Sequence, residues 1–415
     1  MTLPIRTLPI VERWDCQACG NCCRGPIIRL SDDELERIRQ QRWHKQPDHR
    51  GARILQRDGL LSRRYRLVHR RDGNCVFLTA DGRCRIHRDH GEAAKPLLCR
   101  LFPLQLVPLE DCAYLTLRRY CPSAAADTGR ELKEHLGTVR ELAQRHGLAP
   151  EGTRPPATLP GHRRSWKDTL RIAEVIQRLM LDVRYPPVRR LVHGLQFCEL
   201  LGMCRLGGVP SEHLGPLLAM LETSAVEEAN ELFRDRRPPG KAAAGLFRQI
   251  AFDYVRLHPR LTLRESWRER LRLLRCWIAF GRGKGRVPRI HPAFPQTTFA
   301  DLERPLGHLG AEILQPLSRY FEVAAASKHY ALLGRRTWPL VESFRALAAS
   351  YAVATWMLRL ACGDRPPAVE DVIDAVGAID RGQGYAPLTG RRHRVRLSAL
   401  ARRGELPRLL IWYAR

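Results

Sequence analysis

Four cysteines lie within eight residues near the N-terminus of the chain. Cys16, Cys19 and Cys22 follow the spacing Cys-x2-Cys-x2-Cys, and Cys23 directly follows Cys22. Two-residue spacers allow a tight turn to direct successive thiolates at one centre, and a Gly-Asn pair inside the run supplies turn chemistry. The spacing suits zinc, and it also matches the first three ligands of a ferredoxin-type iron–sulfur run. The sequence therefore predicts a thiolate metal site.

The neighbouring pair Cys22 and Cys23 needs its own explanation. Adjacent residues rarely direct both side chains at one small ion without strain. We therefore expect the two thiols to serve two metals or two iron atoms of one cluster, or one of them to be a spare. A disulfide between neighbours is strained and is disfavoured.

Five more cysteines follow before residue 122. A hairpin around Asp81-Gly82 is predicted to bring Cys75 and Cys84 together. Cys121 precedes a proline, as does the fourth ligand of the ferredoxin-type run. Cys112 falls in the apparent strand "DCAYLTL" and is left out. The predicted metal ligands are Cys16, Cys19, Cys22, Cys23, Cys75, Cys84, Cys99 and Cys121.

Basic residues accompany these cysteines. Arg24, Arg85 and Arg100 each follow a predicted ligand directly and could neutralise the excess negative charge of four thiolates on a divalent ion. The alternative is that they are background in an arginine-rich chain. His87 and His90 are alternative ligands, with a solvated surface role as the favoured interpretation.

Composition limits the class of protein. The chain has 415 residues, 13 cysteines and a net charge of +27, almost all of it from dispersed arginines. An apolar signal segment is not evident, and the best candidate span, 341–362, contains Glu342, Arg345 and Arg359. We expect a cytoplasmic protein without a membrane span. In a reducing compartment a dense cysteine group binds metal or reacts rather than forming disulfides. Nucleic-acid binding has only the charge to support it.

The predicted fold is mainly α, with two parts. A small α+β cysteine-cluster metal-binding domain covers 10–148, a Pro-rich linker covers 149–164, and an all-α domain of eight or more helices covers 165–415. The other four cysteines, in this last part, are expected to be core residues. In the first part, "SDDE" at 31–34 predicts a capped helix with Leu35 and Ile38 on its inner face, and a second helix is predicted over 131–147, ending at Gly147. In the all-α part, "SWKD" at 165–168 and "SWRE" at 266–269 each predict the capped start of a helix, and a long helix is predicted from about 340 to 361.

Two of these helices have a defined apolar face. In the first, Ile172, Val175, Ile176, Leu179 and Met180 recur at helical spacing. In the second, the residues that share one face are Trp267, Leu271, Leu274 and Ile278.

Other catalytic motifs are missing. No Gly-x-Gly-x-x-Gly turn follows a strand, which argues against a Rossmann-type enzyme, and the first cysteine spacer is too short for the radical adenosylmethionine pattern. "GRGKGR" at 281–286 lacks the P-loop spacing. It is interpreted as a loop after a helix, with an anion site as the alternative.

Four blocks, in order, resemble a known family. "CQACGNCC", "GNCVFLTADGRCRIH", "KPLLCRLFPL" and "RRYCPS" are similar to the signature blocks of the cysteine-cluster family of zinc- or iron-chelating domains (YkgJ type), which includes flagellin lysine-N-methylase (FliB). The resemblance covers about 14–130. The "IHRDHGEAAKPLLCR" spacer looks like that of the methylase branch, and "LSRYFEVAAASKHYALLGRRTWPLVESFRALAASYAVA" is similar in style to the helical extension of longer members.

This resemblance implies that the eight cysteines are metal ligands and that Cys112 is not. The methylase members imply methyl transfer from S-adenosylmethionine to a lysine of a protein substrate. Our first hypothesis is a protein that binds iron, as an iron–sulfur cluster, or zinc. In one version of this hypothesis the protein is also a methylase-like enzyme. The alternative is a zinc-stapled, basic protein that binds nucleic acid or a partner without catalysis.

Overall fold

The computed structural model describes most of the chain. The described residues are 3–24, 26–46, 51–59, 63–146, 153–259, 261, 267–292, 294–332, 338–383, 388 and 390–415. The predicted cap Gly147, the first part of the predicted linker, the first residue of "SWRE" and part of the C-terminal segment that resembles longer family members lie outside them.

The N-terminal region combines small sheets with short helices. The strands are β1 Ile5–Thr7, β2 Arg29–Leu30, β3 Leu55–Arg57, β4 Tyr65–Leu67, β5 Leu104–Pro108 and β6 Ala113–Leu117. In one sheet β6 lies between β1, to which it is parallel, and β5, to which it is antiparallel. In the other, β4 pairs with β2 and β3 on its two sides, and both pairings are antiparallel. The helices are α1 Asp32–Gln40, α2 Arg85–His90, α3 Leu97–Leu101, α4 Pro122–Ala125 and α5 Leu136–Arg145.

The rest of the described chain is helical apart from one hairpin. Strands β7 Ala157–Leu159 and β8 His162–Arg163 pair antiparallel within the stretch predicted as a linker. The helices are α6 Trp166–Leu181, α7 Pro187–Met203, α8 Ser211–Arg234, α9 Lys241–Val255, α10 Trp267–Arg282, α11 Ala311–Ser327, α12 Leu340–Cys362, α13 Val369–Gln383, α14 Arg391–Arg402 and α15 Glu405–Tyr413. The predicted mainly-α class is confirmed.

Local capping chemistry starts two helices where the sequence predicted. Ser31 Oγ accepts from the Glu34 N–H, and the Glu34 carboxylate accepts from the Ser31 N–H, so α1 begins with a capping box. Ser165 Oγ accepts from the Asp168 N–H at the start of α6. The predicted inner faces of both helices are buried.

The predicted hairpin at 75–87 is only partly correct. Its turn exists, because the Thr79 N–H donates to the Arg83 carbonyl and Leu78 pairs with Cys84 in a single bridge. The second predicted strand, "CRIH", instead begins α2 directly after Cys84. The short apolar run satisfied both patterns. The Arg85 N–H still donates to the Phe77 carbonyl as in a hairpin, but the Arg88 N–H donates to the Cys84 carbonyl and so starts the helix.

Helix α12 lies at the centre of the helical region. Every residue of this helix except Arg345 is buried. Its charged residues are satisfied, since Glu342 accepts from Arg394 and Arg359 donates to the carbonyls of Arg304 and Tyr413. Within the described residues, no helix combines the length and the apolar character needed to cross a bilayer.

Candidate metal centre

Two glycines allow the N-terminal cysteine run to pack against a turn. Gly20 and Gly82 both have positive φ. A Cβ at Gly20 would lie 2.9 Å from the Leu78 side chain, and one at Gly82 would lie 2.4 Å from the Ala18 carbonyl oxygen. Asn21–Cys23 then forms one turn of 3-10 helix. The loop that carries the first four cysteines therefore rests directly on the turn between Cys75 and Cys84.

Backbone hydrogen bonds place the next two cysteines beside this loop. The Cys75 N–H donates to the Cys23 carbonyl at 2.7 Å. Cys84 occupies the N-cap position of α2. Cys75 is among the charges that affect the Cys99 thiol, and Cys84 among those that affect Cys75, so these side chains are neighbours.

Short helices carry the last two predicted ligands. Cys99 lies in α3, and Cys121 occupies the N-cap position of α4, with a proline at the first helical position. The position of a proline after Cys121 thus has a structural reason that does not require a metal.

Seven of the eight predicted ligands line one cavity. Its volume is about 590 Å³ and it is open to solvent. The lining cysteines are Cys16, Cys19, Cys22, Cys23, Cys84, Cys99 and Cys121. Cys75 is buried, and neither it nor Cys112 is among the lining residues. The eight-cysteine set stays a prediction, but its members share a region of the fold that their sequence separation does not dictate.

The thiols are held where ionisation is unfavourable without a cation. Burial raises the pKa of Cys75 to about 12 and that of Cys121 to about 11. The pKa of Cys22 is raised by the hydrogen bond with Cys23, whose Sγ lies 3.9 Å from Cys22 Sγ, and by desolvation of the sulfur, although the residue as a whole is exposed. The pKa of Cys99 is raised by burial and by neighbouring cysteines. A bound cation would favour the thiolates, and its binding would release protons.

Backbone N–H groups already point at several sulfurs. Those of Asn21, Phe77 and Ser123 favour the thiolates of Cys19, Cys75 and Cys121, in each case from two residues further along the chain. The buried indole N–H of Trp14 has no partner by hydrogen-bond geometry in the described part of the chain, yet it lies beside the Cys121 sulfur and lowers the pKa of that thiol. Such donors to ligand sulfur are expected around thiolate-bound metals.

The donor chemistry therefore fits zinc or iron, although the coordination shell is not preformed. Among the described residues, no three Cys, His, Asp or Glu side chains are already arranged as a metal site. Cys16, Cys19 and Cys22 lie on an exposed loop, and this loop would have to bring their thiols together to close a shell.

The sequence analysis did not identify Lys95, a cation that lowers the pKa of two of the predicted ligand thiols. Lys95 favours ionisation of both Cys22 and Cys99. Of the three arginines predicted to neutralise the site, Arg100 lines the cavity, whereas Arg85 forms an ion pair with Asp89. Lys95 has an extended backbone and lies before α3, so no helical spacing in the sequence indicated its position beside these thiols.

The helical region also contributes to this site, which sequence reasoning did not foresee. The Tyr120 N–H donates to Asp380 Oδ2 at 2.9 Å, and the Tyr120 carbonyl accepts from Asn21 Nδ2 at 2.9 Å. Arg118 Nε lies 3.1 Å from the same Asp380 oxygen. Asp380, in α13, thus holds the segment that ends at Cys121, and Asn21 ties that segment to the cysteine run.

The two candidate histidines and the four cysteines of the helical region differ in whether they lie at the cavity. His87 lines the cavity and is exposed, while His90 packs edge-on against Trp43. Cys198, Cys276 and Cys362 are buried, as predicted, and Cys204 is half-buried.

Comparison with known proteins supports metal binding. Residues 15–122 match the family CxxCxxCC, described as "Putative zinc- or iron-chelating domain". The match begins one residue before Cys16 and ends one residue after Cys121, so it contains every predicted ligand. It covers about a quarter of the chain. No curated protein and no solved structure matches the chain. The N-terminal region is therefore assigned as a binder of zinc or iron.

Proposed function

We propose that the N-terminal region holds an iron–sulfur cluster, with zinc as the other metal that its ligands suit. The proposed ligands are the thiolates of Cys16, Cys19, Cys22, Cys23, Cys75, Cys84, Cys99 and Cys121. Eight thiols are enough for two tetrahedral sites or for one cluster with spare cysteines. The N–H donors and Lys95 supply the positive charge that an anionic metal–thiolate centre requires.

The open cavity is the observation on which we base the proposal that this metal centre is reactive and does not only stabilise the fold. Structural zinc sites are closed by their protein ligands, whereas reactive centres keep a side open to a substrate. Seven predicted ligands line a cavity whose volume lies in the range of ligand-binding pockets. A substrate could therefore reach the metal ligands directly.

Methyl transfer to a protein lysine, with S-adenosylmethionine as donor, is the reaction that we propose to test first. The methyl group would leave the sulfonium sulfur as the lysine Nζ–C bond forms, and the lysine ammonium must lose a proton beforehand. Among the carboxylates that line the cavity, Asp15 is bound by Arg130, whereas Glu92 makes no ion pair with a described residue. Glu92 is thus the side chain that could accept this proton.

Anaerobic purification tests the metal assignment. Visible absorption with stoichiometric iron and sulfide supports the cluster, and a colourless protein with stoichiometric zinc supports the zinc form. Cys19→Ser and Cys84→Ser should lose metal, while the matched controls Cys198→Ser and Cys362→Ser should keep it. A protein that binds neither metal would contradict the proposal.

Transfer of labelled methyl groups tests the reaction. Label from S-adenosylmethionine should enter lysine residues of a protein substrate, and Glu92→Gln should reduce the rate without changing metal content. No incorporation into any lysine-containing protein by a metal-replete preparation would exclude methyl transfer and leave the metal assignment intact.

The non-catalytic alternative also has a direct test. A zinc-stapled nucleic-acid binder would be retained on nucleic acid at about 50 mM salt and released by about 200 mM. Much of the arginine charge is engaged within the fold, as in the pairs Arg119–Glu12 and Arg190–Glu322. For this reason we place the metal-dependent enzyme first.

A further inference from the structure

Helix α10 has two apolar faces, and the fold covers one of them. Leu273, Cys276 and Phe280 are buried, and they belong to the side that packs on α9. Four large apolar side chains lie on the opposite side. The sequence predicted these four as the apolar face of the helix, and the structure buries the other side instead.

The exposed stripe, as we name these four residues, is substantial. Trp267, Leu271, Leu274 and Ile278 are 71, 42, 52 and 40% exposed. Their spacing of four, three and four residues aligns them along one side of the helix. Isolated exposed apolar residues are ordinary, but an aligned set on one helix indicates an interaction surface.

Basic residues border the exposed stripe on both sides. On a helical wheel Arg270 lies on one edge and Arg275 and Arg282 lie on the other, and all three are exposed. From residue 267 to residue 289 the chain has seven arginines, one lysine and one acidic residue, a net charge of +7. The acidic residue, Glu269, already accepts from Arg272. The surface is therefore both apolar and strongly cationic.

We propose that α10 is a membrane-docking helix that lies flat on a bilayer containing anionic lipids. Its 16 residues would span about 24 Å along the membrane plane. The exposed stripe would enter the boundary between headgroups and acyl chains, where tryptophan is favoured, and the bordering arginines would contact lipid phosphates.

The exposed stripe favours a bilayer over nucleic acid as the partner of this helix. A phosphate backbone requires the basic residues but gives four aligned apolar side chains nothing to bury against. The loop that follows the helix, "GRGKGR", adds the exposed Lys284 and Arg286 to the same cationic segment. This assigns to the loop a lipid-phosphate contact in place of the anion site considered from the sequence.

Flotation with vesicles tests the proposal. The full-length protein should bind vesicles of phosphatidylcholine with about 30% phosphatidylglycerol and bind phosphatidylcholine alone at least about tenfold more weakly. Binding should weaken as salt rises from about 0.05 M to about 0.5 M, because the Debye length shortens. Absence of binding to the anionic vesicles at low salt would overturn the proposal.

Substitutions separate insertion of the stripe from simple charge attraction. Leu271→Glu with Leu274→Glu should lower the partition coefficient at least about tenfold, and Arg270→Glu with Arg275→Glu should do the same. Met220→Glu, on an exposed site of α8, and Arg205→Glu are the matched controls and should change it little. Circular dichroism checks that each variant is folded.

Tryptophan quenching supplies a readout at the stripe itself. Lipids brominated near the headgroup should quench part of the fluorescence of the eight tryptophans, and Trp267→Phe should remove that quenching while most binding remains. If the leucine variants bind as well as the parent protein, or if only nucleic acid binds and only the arginine variants affect it, the proposal is wrong.

Discussion

The N-terminal region and the helical region differ in the length of their helices. Helices of the first run from four to ten residues, whereas those after residue 165 run from nine to twenty-four. Short elements bury little apolar surface, and isolated helices of this length are marginal in water. The comparison indicates that the helical region is stable through packing, while the N-terminal region depends on what its thiols bind.

Metal removal should separate the two regions most strongly. A metal held by thiolates from distant parts of a small region stabilises the fold whether or not it also reacts, by about 10 kcal/mol in small metal-binding modules, so chelation should unfold much of residues 63–121. Hydrogen exchange should show lost protection there and retained protection in α12. Equal loss in both regions would mean that they unfold as one unit, and no loss would mean that metal does not stabilise the first.

Asp380 should couple the two regions. Asp380→Asn leaves Arg118 without its buried carboxylate and weakens the hold on the Tyr120 N–H, at a cost of about 4 kcal/mol. We also expect weaker retention of metal, measured by competition with a chelator. Glu370→Gln, at an exposed position of the same helix, is the control. Unchanged metal retention would show that α13 does not position Cys121.

A substitution that disturbs packing in the helical region should lower the stability of that region and leave metal binding by the N-terminal region unchanged. A Cβ at Gly194 would lie 2.5 Å from the buried Phe344 ring, so Gly194→Ala should cost about 3 kcal/mol. Gly202→Ala, in the same helix, meets no described atom within 4 Å and should be neutral or slightly stabilising. Chemical denaturation measures both. Metal content should be the same in the two variants, and a difference would contradict the separation of the regions.

Acid should weaken the helical region through buried histidines. Burial lowers the pKa of His393 to about 3, with Arg396 acting in the same direction. The folded state therefore binds fewer protons than the unfolded state. The stabilisation is complete above about pH 6.5, and about 2 kcal/mol of it is lost by pH 5.

Denaturation at pH 7 and at pH 5 measures this loss. His393→Gln should flatten the pH dependence, and the exposed His213→Gln should not. Equal slopes for His393→Gln and the parent protein would show that His393 is not buried in its neutral form.

Removal of either serine helix cap should have the smallest effect on the free energy of unfolding, and it tests whether the two regions unfold separately. Ser31→Ala and Ser165→Ala each remove one cap and should cost about 1 kcal/mol. If the regions unfold separately, the first should affect only the N-terminal transition and the second only the helical one. Hydrogen exchange distinguishes these outcomes from a shared effect on both regions.

Local signals predicted much of this molecule. Ser31 and Ser165 begin helices because their hydroxyls accept N–H groups only three residues away, and Ile172 and Ile176 share one face of α6 because their spacing follows the helical period. These interactions lie within one turn of chain. The same holds for the run from Cys16 to Cys23, whose spacing suits one metal-binding turn.

Long-range contacts decided the rest. The short apolar run after Cys84 fitted a strand as well as the helix that forms there, and Asp380 reaches the cysteine region from 260 residues away. On α10 the helical period indicated one apolar face, and the fold left that face exposed and buried the side that carries Leu273, Cys276 and Phe280. The amino-acid sequence by itself determined caps, turns, helix periods and the supply of thiols, because these depend on neighbours along the chain. Only the tertiary structure decided which sulfurs share a cavity, which cation faces them and which apolar face meets solvent, because these depend on residues brought together by folding.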